Sequence, residues 1–307
     1  MVKSQEEIAE EKENAKKKAE EKLRGKLTKR FHKACAEYGL IEDGDHILIG
    51  LSGGKDSLLL TELLGKRARI YKPHFTVSAL HVRVKERDYT SDLTYLEEFC
   101  KEAGIPLMVR DVSIDNAQFT IHNAQLEREN NSQFTMHNSQ LAREDNAQFT
   151  IHNSQLEGSK KVREINNPCF LCSWYRRKEL FNVAQELGCN KIAFGHHRDD
   201  LLETMLMNLI YQGAFATMPP KLQMEKMPLQ IIRPLCLIDE ADIKEYAAMR
   251  EYKKQVSLCP FEHVSSREKV KGLLAEIKTL NPEAADTMFG ALGNVKEEYL
   301  VRPLQLP

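Results

Sequence analysis

The chain of 307 residues carries 44 Lys and Arg against 45 Asp and Glu, a net charge of −1, and is 42% hydrophobic and 29% charged. Such a composition supports a sizeable core beneath a highly charged surface, and it excludes a whole-molecule attraction to nucleic acid, so an RNA contact must be a local basic patch. No stretch approaches the roughly 18 consecutive apolar residues of a membrane span; the N-terminus lacks the apolar region of a secretory signal; and an odd count of seven cysteines points to a reducing cytoplasm, where thiols serve as metal ligands, as catalysts or in the core.

Residues 1–38 read as one charged helix. Leu23, Leu27, Phe31 and Cys35 recur every four residues, which predicts one buried stripe. The helix also carries Lys22, Arg24, Lys26, Lys29, Arg30 and Lys33. These residues read either as a solvated face or as a contact for an RNA phosphate backbone.

From residue 41 the pattern alternates between strand and helix. Strands are expected at 46–51, 76–81, 107–112 and 191–194, and helices at 57–68, 91–103, 173–187 and 200–211. Alternation of this kind predicts an α/β fold, a parallel sheet with helices on both faces. Two further helices, 239–250 and 265–280, are expected to pack on the sheet domain. The organisation read from the sequence is therefore a charged N-terminal helix (1–38), a catalytic domain (39–238) and a C-terminal helical segment (239–307).

Residues 116–157 break the alternation. A segment beginning Asn116-Ala117-Gln118-Phe119 returns nearly unchanged from Asn131 and from Asn146, with Phe119, Phe134 and Phe149 in register 15 residues apart. This is a tandem insertion. Its alternating residues allow short strands and its Asn and Gln content suits a disordered loop. The regular spacing of His122, His137 and His152 follows from duplication and needs no metal to explain it.

Three constellations carry chemistry. The first is Ser52-Gly53-Gly54-Lys55-Asp56-Ser57, between an apolar strand and a helix. Glycines let the backbone approach an anion closely, and the helix N-terminus then presents free N–H groups to a phosphate. Ser52 and Ser57 add hydroxyls and Lys55 adds charge, while Asp56 beside a phosphate hints at Mg²⁺. The spacing is not that of the Walker A loop.

The second is Cys169-Phe170-Leu171-Cys172, at the start of a helix and one turn ahead of Arg176 and Arg177. The dipole and the arginines favour thiolates there. Two thiolates at this spacing suit a metal centre or a redox disulfide. A second Cys-x-x-Cys pair, as zinc would want, is missing, and Cys259 before Pro260 is the best third ligand. Three cysteines fit an iron–sulfur cluster with one iron open. Cys35, Cys100, Cys189 and Cys236 read as core. The third is Gly195-His196-His197-Arg198-Asp199-Asp200, which follows a strand at the sheet edge where α/β proteins bind ligands. Asp199 and Asp200 can divide the work, one capping the next helix and one facing a nucleotide. Arg198 reads as a phosphate or RNA contact.

The first motif resembles the S-G-G-x-D-S loop of the PP-loop ATP pyrophosphatases. Together with P-C-x-x-C-S-x-x-R-R and G-H-H-R-D-D it resembles the tRNA 2-thiocytidine synthetases of that superfamily. The likeness runs from about Lys22 to the end outside the insertion, and includes Met218-Pro219-Pro220-Lys221-Leu222 and Ile231-Ile232-Arg233-Pro234-Leu235. The resemblance implies an adenine nucleotide alpha-hydrolase-like fold, Mg-ATP as co-substrate, and a [4Fe–4S] cluster on Cys169, Cys172 and Cys259. It also implies thiolation of a cytidine in the tRNA anticodon loop. The partners it implies are tRNA and a sulfur donor, a cysteine desulfurase or sulfide; a homodimer is allowed and no membrane is involved. Carried over by position, the nucleotide contacts are 52–57, Gly195 and His196; Cys169, Cys172, Asp199 and Asp200 serve the chemistry; Arg176, Arg177 and Arg198 touch phosphate or RNA. The family pattern expects a cysteine pair near Cys259, and this chain has one cysteine there. The rival readings are a thiouridine or lysidine synthetase and a non-enzymatic sensor that binds ATP and a cluster.

Overall fold

A computed structural model describes residues 5–85, 89–90, 92–113, 168–225, 227–253, 256–257 and 266–301. The repeat insertion, with its expected short strands and its three histidines, lies outside the described residues.

In chain order the elements are α1 (Gln5–Glu37), β1 (His46–Gly50), α2 (Lys55–Ala68), β2 (Thr76–Val84), β3 (Tyr89–Thr90), α3 (Leu93–Ala103) and β4 (Leu107–Val112). Then come α4 (Pro168–Glu186), β5 (Lys191–Ala193), α5 (Arg198–Gln212), β6 (Lys221–Gln223), β7 (Gln230–Ile232), α6 (Glu240–Met249), β8 (Val256–Ser257), α7 (Ser266–Leu280) and α8 (Ala284–Ala291). A short 3₁₀ turn follows at Glu297–Tyr299. The main sheet has the order β4-β2-β1-β5-β7-β6, parallel except for the antiparallel edge pair β6–β7.

Both faces of the sheet are covered, so its strands read as apolar runs rather than as alternations. Ile47 and Ile49 of β1 point into one core with Leu23, Leu27 and Phe31 of α1 and with Leu58–Leu60 of α2. Leu48, between them, points into the other core with Leu180, Val183 and Ala184 of α4. The same alternation divides Ala79 from Leu80, Ile192 from Ala193 and Ile231 from Ile232. The α1 stripe is thus buried in the principal core, with Cys35 packed at its edge. A third cluster joins Leu202, Met205 and Leu206 of α5 to Val270 and Leu274 of α7 and Ala285 of α8. Cys100, Cys189 and Cys236 are buried, as their apolar neighbours in sequence imply.

The strand–helix crossovers bring the loops after β1 and β5 side by side at the C-terminal edge of the sheet, because β1 and β5 are hydrogen-bonded neighbours. The strand order changes direction there, which is the position at which such sheets bind ligands.

Candidate nucleotide site

The loop after β1 makes a cradle from its own backbone. Gly53 has φ of +80°, a conformation that strains any residue with a Cβ. Ser52 Oγ accepts the Gly54 N–H at 3.3 Å and lies 3.2 Å from Ser57 Oγ, which donates to Gly54 O at 2.9 Å. The hydroxyls hold the turn closed. Gly54 is the N-cap of α2 and supplies no side-chain cap. The first-turn N–H groups, at the positive end of a 14-residue helix, therefore face the loop mouth and suit an anion. Lys55 Nζ sits at that mouth, 3.0 Å from both Asp56 carboxylate oxygens.

The loop after β5 closes against this cradle. A Cβ on Gly195 would lie 3.0 to 3.1 Å from the Asp56 carbonyl group and the Ser57 nitrogen, so a side chain there would push the two backbone segments apart by a few tenths of an ångström. His197 caps α5 reciprocally: its Nδ1 accepts the Asp200 N–H at 3.3 Å, and Asp200 Oδ2 accepts the His197 N–H at 3.0 Å. With Nδ1 accepting, the ring proton is on Nε2, which stands 3.8 Å from Asp56 Oδ1 and 3.4 Å from Asp200 Oδ2. His196 Nδ1 lies 3.3 Å from Arg233 Nε, a group that can only donate. Burial pulls the Arg233 guanidinium down to about 10.

Between these walls lies a cavity of about 360 Å³. Ser52, Asp56 and Ser57 form its floor, His81 and Val82 of β2 and Arg176, Arg177 and Leu180 of α4 its sides, and Phe194, Gly195, His196 and Asp200 its far wall. That volume suits a small-molecule ligand. Two arginines and two carboxylates line it, a charge set that suits a phosphate ester with a divalent cation. Burial lowers the Arg177 pKa to about 10. His81 is buried, and its Nδ1–H donates to Leu51 O at 2.8 Å. Burial, aided by the charge of Arg176, depresses its pKa below the ordinary value and outweighs the opposing backbone hydrogen bond.

The structure therefore brings together 52–57, Arg176, Arg177, Gly195, His196 and Asp200. Cys172 is buried one helical turn before Arg176. Cys169 lies in the first turn of α4, but its side chain and all of Cys259 fall outside the described residues. The chain reaches Val256–Ser257, just short of Cys259, paired antiparallel with Tyr89–Thr90. Among the described residues, no three His, Cys, Asp or Glu side chains gather as metal ligands, and no helix is long and apolar enough to cross a membrane.

Two expectations need correction, and two further residues of α1 are engaged in ion pairs. Asp199 does not face the cavity: it is buried, accepts the Glu240 N–H at 2.8 Å and pairs with Lys278, so it caps α6. Arg198 is buried against Asp239 and Asp286, which leaves its guanidinium inside the protein rather than on a phosphate or RNA. Lys26, its side chain 48% exposed, is bound to Asp242 at 2.7 Å, and the partly buried Arg30 to Leu237 O at 2.9 Å and Asp239 at 3.1 Å. Both tie α1 to α6 or to the turn before it. Lys22, Arg24 and Lys29 remain on the exposed face of α1, with Arg24 3.6 Å from Glu21. The sequence reading missed His81 and Arg233. A histidine inside the apolar run of β2, entering the ligand edge of a parallel sheet, was the available signal for His81.

Comparison with known proteins bears on this geometry. The family model for the PP-loop domain, ATP_bind_3, matches residues 20–137 and 117–254, the two stretches overlapping within the repeats. The tRNA-cytidine(32) 2-sulfurtransferase of Chromohalobacter salexigens is 31% identical over 280 residues, which span 91% of this chain and 84% of that protein. The enzyme of the same name from Paraburkholderia phymatum is 31% identical over 281 residues, spanning 91% of this chain and 71% of its own length. Among solved structures, the U34-tRNA thiolase NcsA from Methanococcus maripaludis, with its [4Fe–4S] cluster, aligns with a TM-score of 0.60 and 22% identity, covering 92% of this chain and 81% of that one. At that identity the likeness speaks for the fold.

Proposed function

Because the chain belongs to the PP-loop family and, within it, to the tRNA-cytidine(32) 2-sulfurtransferases, we propose that it uses ATP to replace the C2 oxygen of an anticodon-loop cytidine with sulfur. The observation that carries the reading is the cradle of 52–57, closed by Gly195 and opening into a cavity walled by arginines and carboxylates.

A carbonyl oxygen is a poor leaving group. Attack of the cytidine O2 on the α-phosphorus of ATP expels pyrophosphate and converts that oxygen into part of an adenylate. A sulfur nucleophile then attacks C2, and AMP departs with the oxygen. The first-turn N–H groups of α2, with Lys55, bind the leaving pyrophosphate and stabilise its developing charge. Arg176 and Arg177 hold the α-phosphate and nucleotide from the α4 side. Asp56 and Asp200, hard oxygen donors on one cavity, suit Mg²⁺. His197 Nε2–H lies between them, 3.8 Å from Asp56 and 3.4 Å from Asp200.

Cys172, in the first turns of α4 and ahead of Arg176 on the same helix face, suits a soft metal ligand next to the nucleotide. Cys169 and Cys259 complete the proposed set. A [4Fe–4S] cluster on these three would supply an open iron for carrying sulfur. The exposed cations Lys22, Arg24 and Lys29 would meet the tRNA backbone, and the reaction would take place in the cytoplasm with a cysteine desulfurase or sulfide as donor.

The test is anaerobic turnover of the purified chain with tRNA, Mg-ATP and sulfide. Pyrophosphate rather than orthophosphate should appear, and digestion of the tRNA should yield 2-thiocytidine. Cys169→Ala should abolish the thionucleoside while the circular dichroism spectrum stays native. Sulfur found on uridine, or lysine attached to cytidine, would sink the assignment.

A further inference from the structure

Glu240 opens α6 and gathers three ammonium groups. Lys55 of the nucleotide loop stands 3.3 Å from it, Lys244 of its own helix 3.0 Å, and Lys271 of α7 2.9 Å. Its backbone is fixed as well, since its N–H donates to the buried Asp199. Burial would raise the pKa of Glu240, but the hydrogen bonds from Lys271 and Lys244 and the charge of Lys55 outweigh it and hold the carboxyl down at about 2. The side chain is therefore a carboxylate, and Lys55 is shared between it and Asp56.

The far end of this array is one helix. Besides Lys271, α7 sends Arg267 to Glu203 at 2.9 Å and to Asp200 at 3.4 Å, and Lys278 to Asp199. Of these carboxylates, Asp200 lines the cavity, Glu203 follows it on α5 and Asp199 holds the start of α6. The helix begins at Ser266, seven positions after Cys259.

A triphosphate in the loop competes for Lys55 with both carboxylates. Asp56 adjoins the loop and suits a cation in exchange. Glu240 keeps two ammonium groups when Lys55 leaves, so its charge is never stranded, and its attraction is then divided between fewer partners. Resting on the reading of 52–57 as an ATP site, we propose that Glu240 is a positioning residue that releases Lys55 to the triphosphate and tightens on Lys271, so that nucleotide occupancy reaches α7. Coupling of this kind requires only that ATP interact differently with the two arrangements of one ion-pair group.

The experiment is hydrogen exchange of residues 266–280 in the full chain, with and without Mg-ATP, on wild type, Glu240→Gln and Lys271→Gln, with ATP affinity measured by calorimetry. In wild type, ATP should slow exchange in α7 several-fold. Both variants should bind ATP and lose that slowing. Glu240→Gln should bind ATP about three- to tenfold tighter, because a charge that competes for Lys55 is gone. The side chain of Lys271 is 40% exposed, so its variant is expected to fold even if Glu240→Gln does not. The relay is overturned if ATP binds to wild type and α7 does not respond, if either variant retains the response, or if Glu240→Gln weakens ATP binding. Failure of wild type to bind ATP at all would overturn the proposed function along with it.

Discussion

The two edges of the parallel sheet bury charge in opposite ways. At the N-terminal edge, Lys191 is 1% exposed and meets Asp45 at 2.7 Å, Glu42 at 3.0 Å and Leu40 O at 3.1 Å, and Asn190 holds the other oxygen of Asp45 at 2.7 Å. The group is closed by residues of the protein itself. At the C-terminal edge, Asp56, Asp200 and the arginines of α4 line a cavity, Lys55 pairs with Asp56 and Glu240 beside it, and these pairs run through groups that a nucleotide can replace. Charge at the first edge is sealed by its partners, whereas charge at the second is only partly buried and lines an open cavity. The kind of residue does not separate the two cases; the presence of room beside it does.

That contrast can be broken most severely at the closed edge. Lys191→Met should leave Asp45 buried without its cation and lower stability by about 3–5 kcal/mol, read as a shift in urea midpoint, with ATP affinity per folded molecule unchanged. A loss of ATP binding without a loss of stability would erase the distinction. At the open edge, Gly195→Ala should cost about 1–3 kcal/mol through overpacking and reduce ATP affinity tenfold or more, because the added methyl pushes on the start of α2. Gly65→Ala is the control: its Cβ would lie 2.4 Å from Ala103 O, between α2 and α3, so it should reduce stability while sparing ATP affinity.

A smaller effect sharpens the same comparison through pH. The pKa of His81 is depressed below 6.5 in the folded protein, so the folded state disfavours its protonation. Its contribution to stability is complete above the unfolded value and is lost as pH falls from about 6.5 towards the folded value. Wild type should lose stability as pH falls below about 6.5, and His81→Gln should lose less, as followed by thermal melts. An identical slope in both proteins would remove His81 from the account. The smallest effect belongs to the repeats. Deleting one 15-residue copy shortens a connection whose closure entropy varies only as the logarithm of its length, so the urea midpoint should move by no more than about 0.6 kcal/mol equivalent.

Much of this was legible in the sequence. Apolar runs marked β1, β2 and β5 because strands covered on both faces have no polar side to hide them, the edge strand β4 showed only its apolar start at Leu107–Val109, and the glycine loop announced its own turn. The three-residue strands β6 and β7 and the two-residue pair β3–β8 are too short to show a period, and only neighbouring chain determines them. Arg176 and Arg198 each stand in a motif and look alike in sequence. Arg198 is buried because its partners Asp239 and Asp286 arrive from 41 and 88 positions away, and no local pattern encodes that meeting. Asp199 and Asp200 differ for the same reason: α6 and α7 claim the first, and the cavity receives the second.

The reciprocal cap at His197 has an evolutionary corollary. One imidazole both caps the start of α5 and lies between Asp56 and Asp200. A substitution that improved the helix end alone would change the group between two acids, and one that retuned the acids would fray the helix. A designer who transplants the loop of 52–57 to another scaffold would therefore carry His197 and its helix with it.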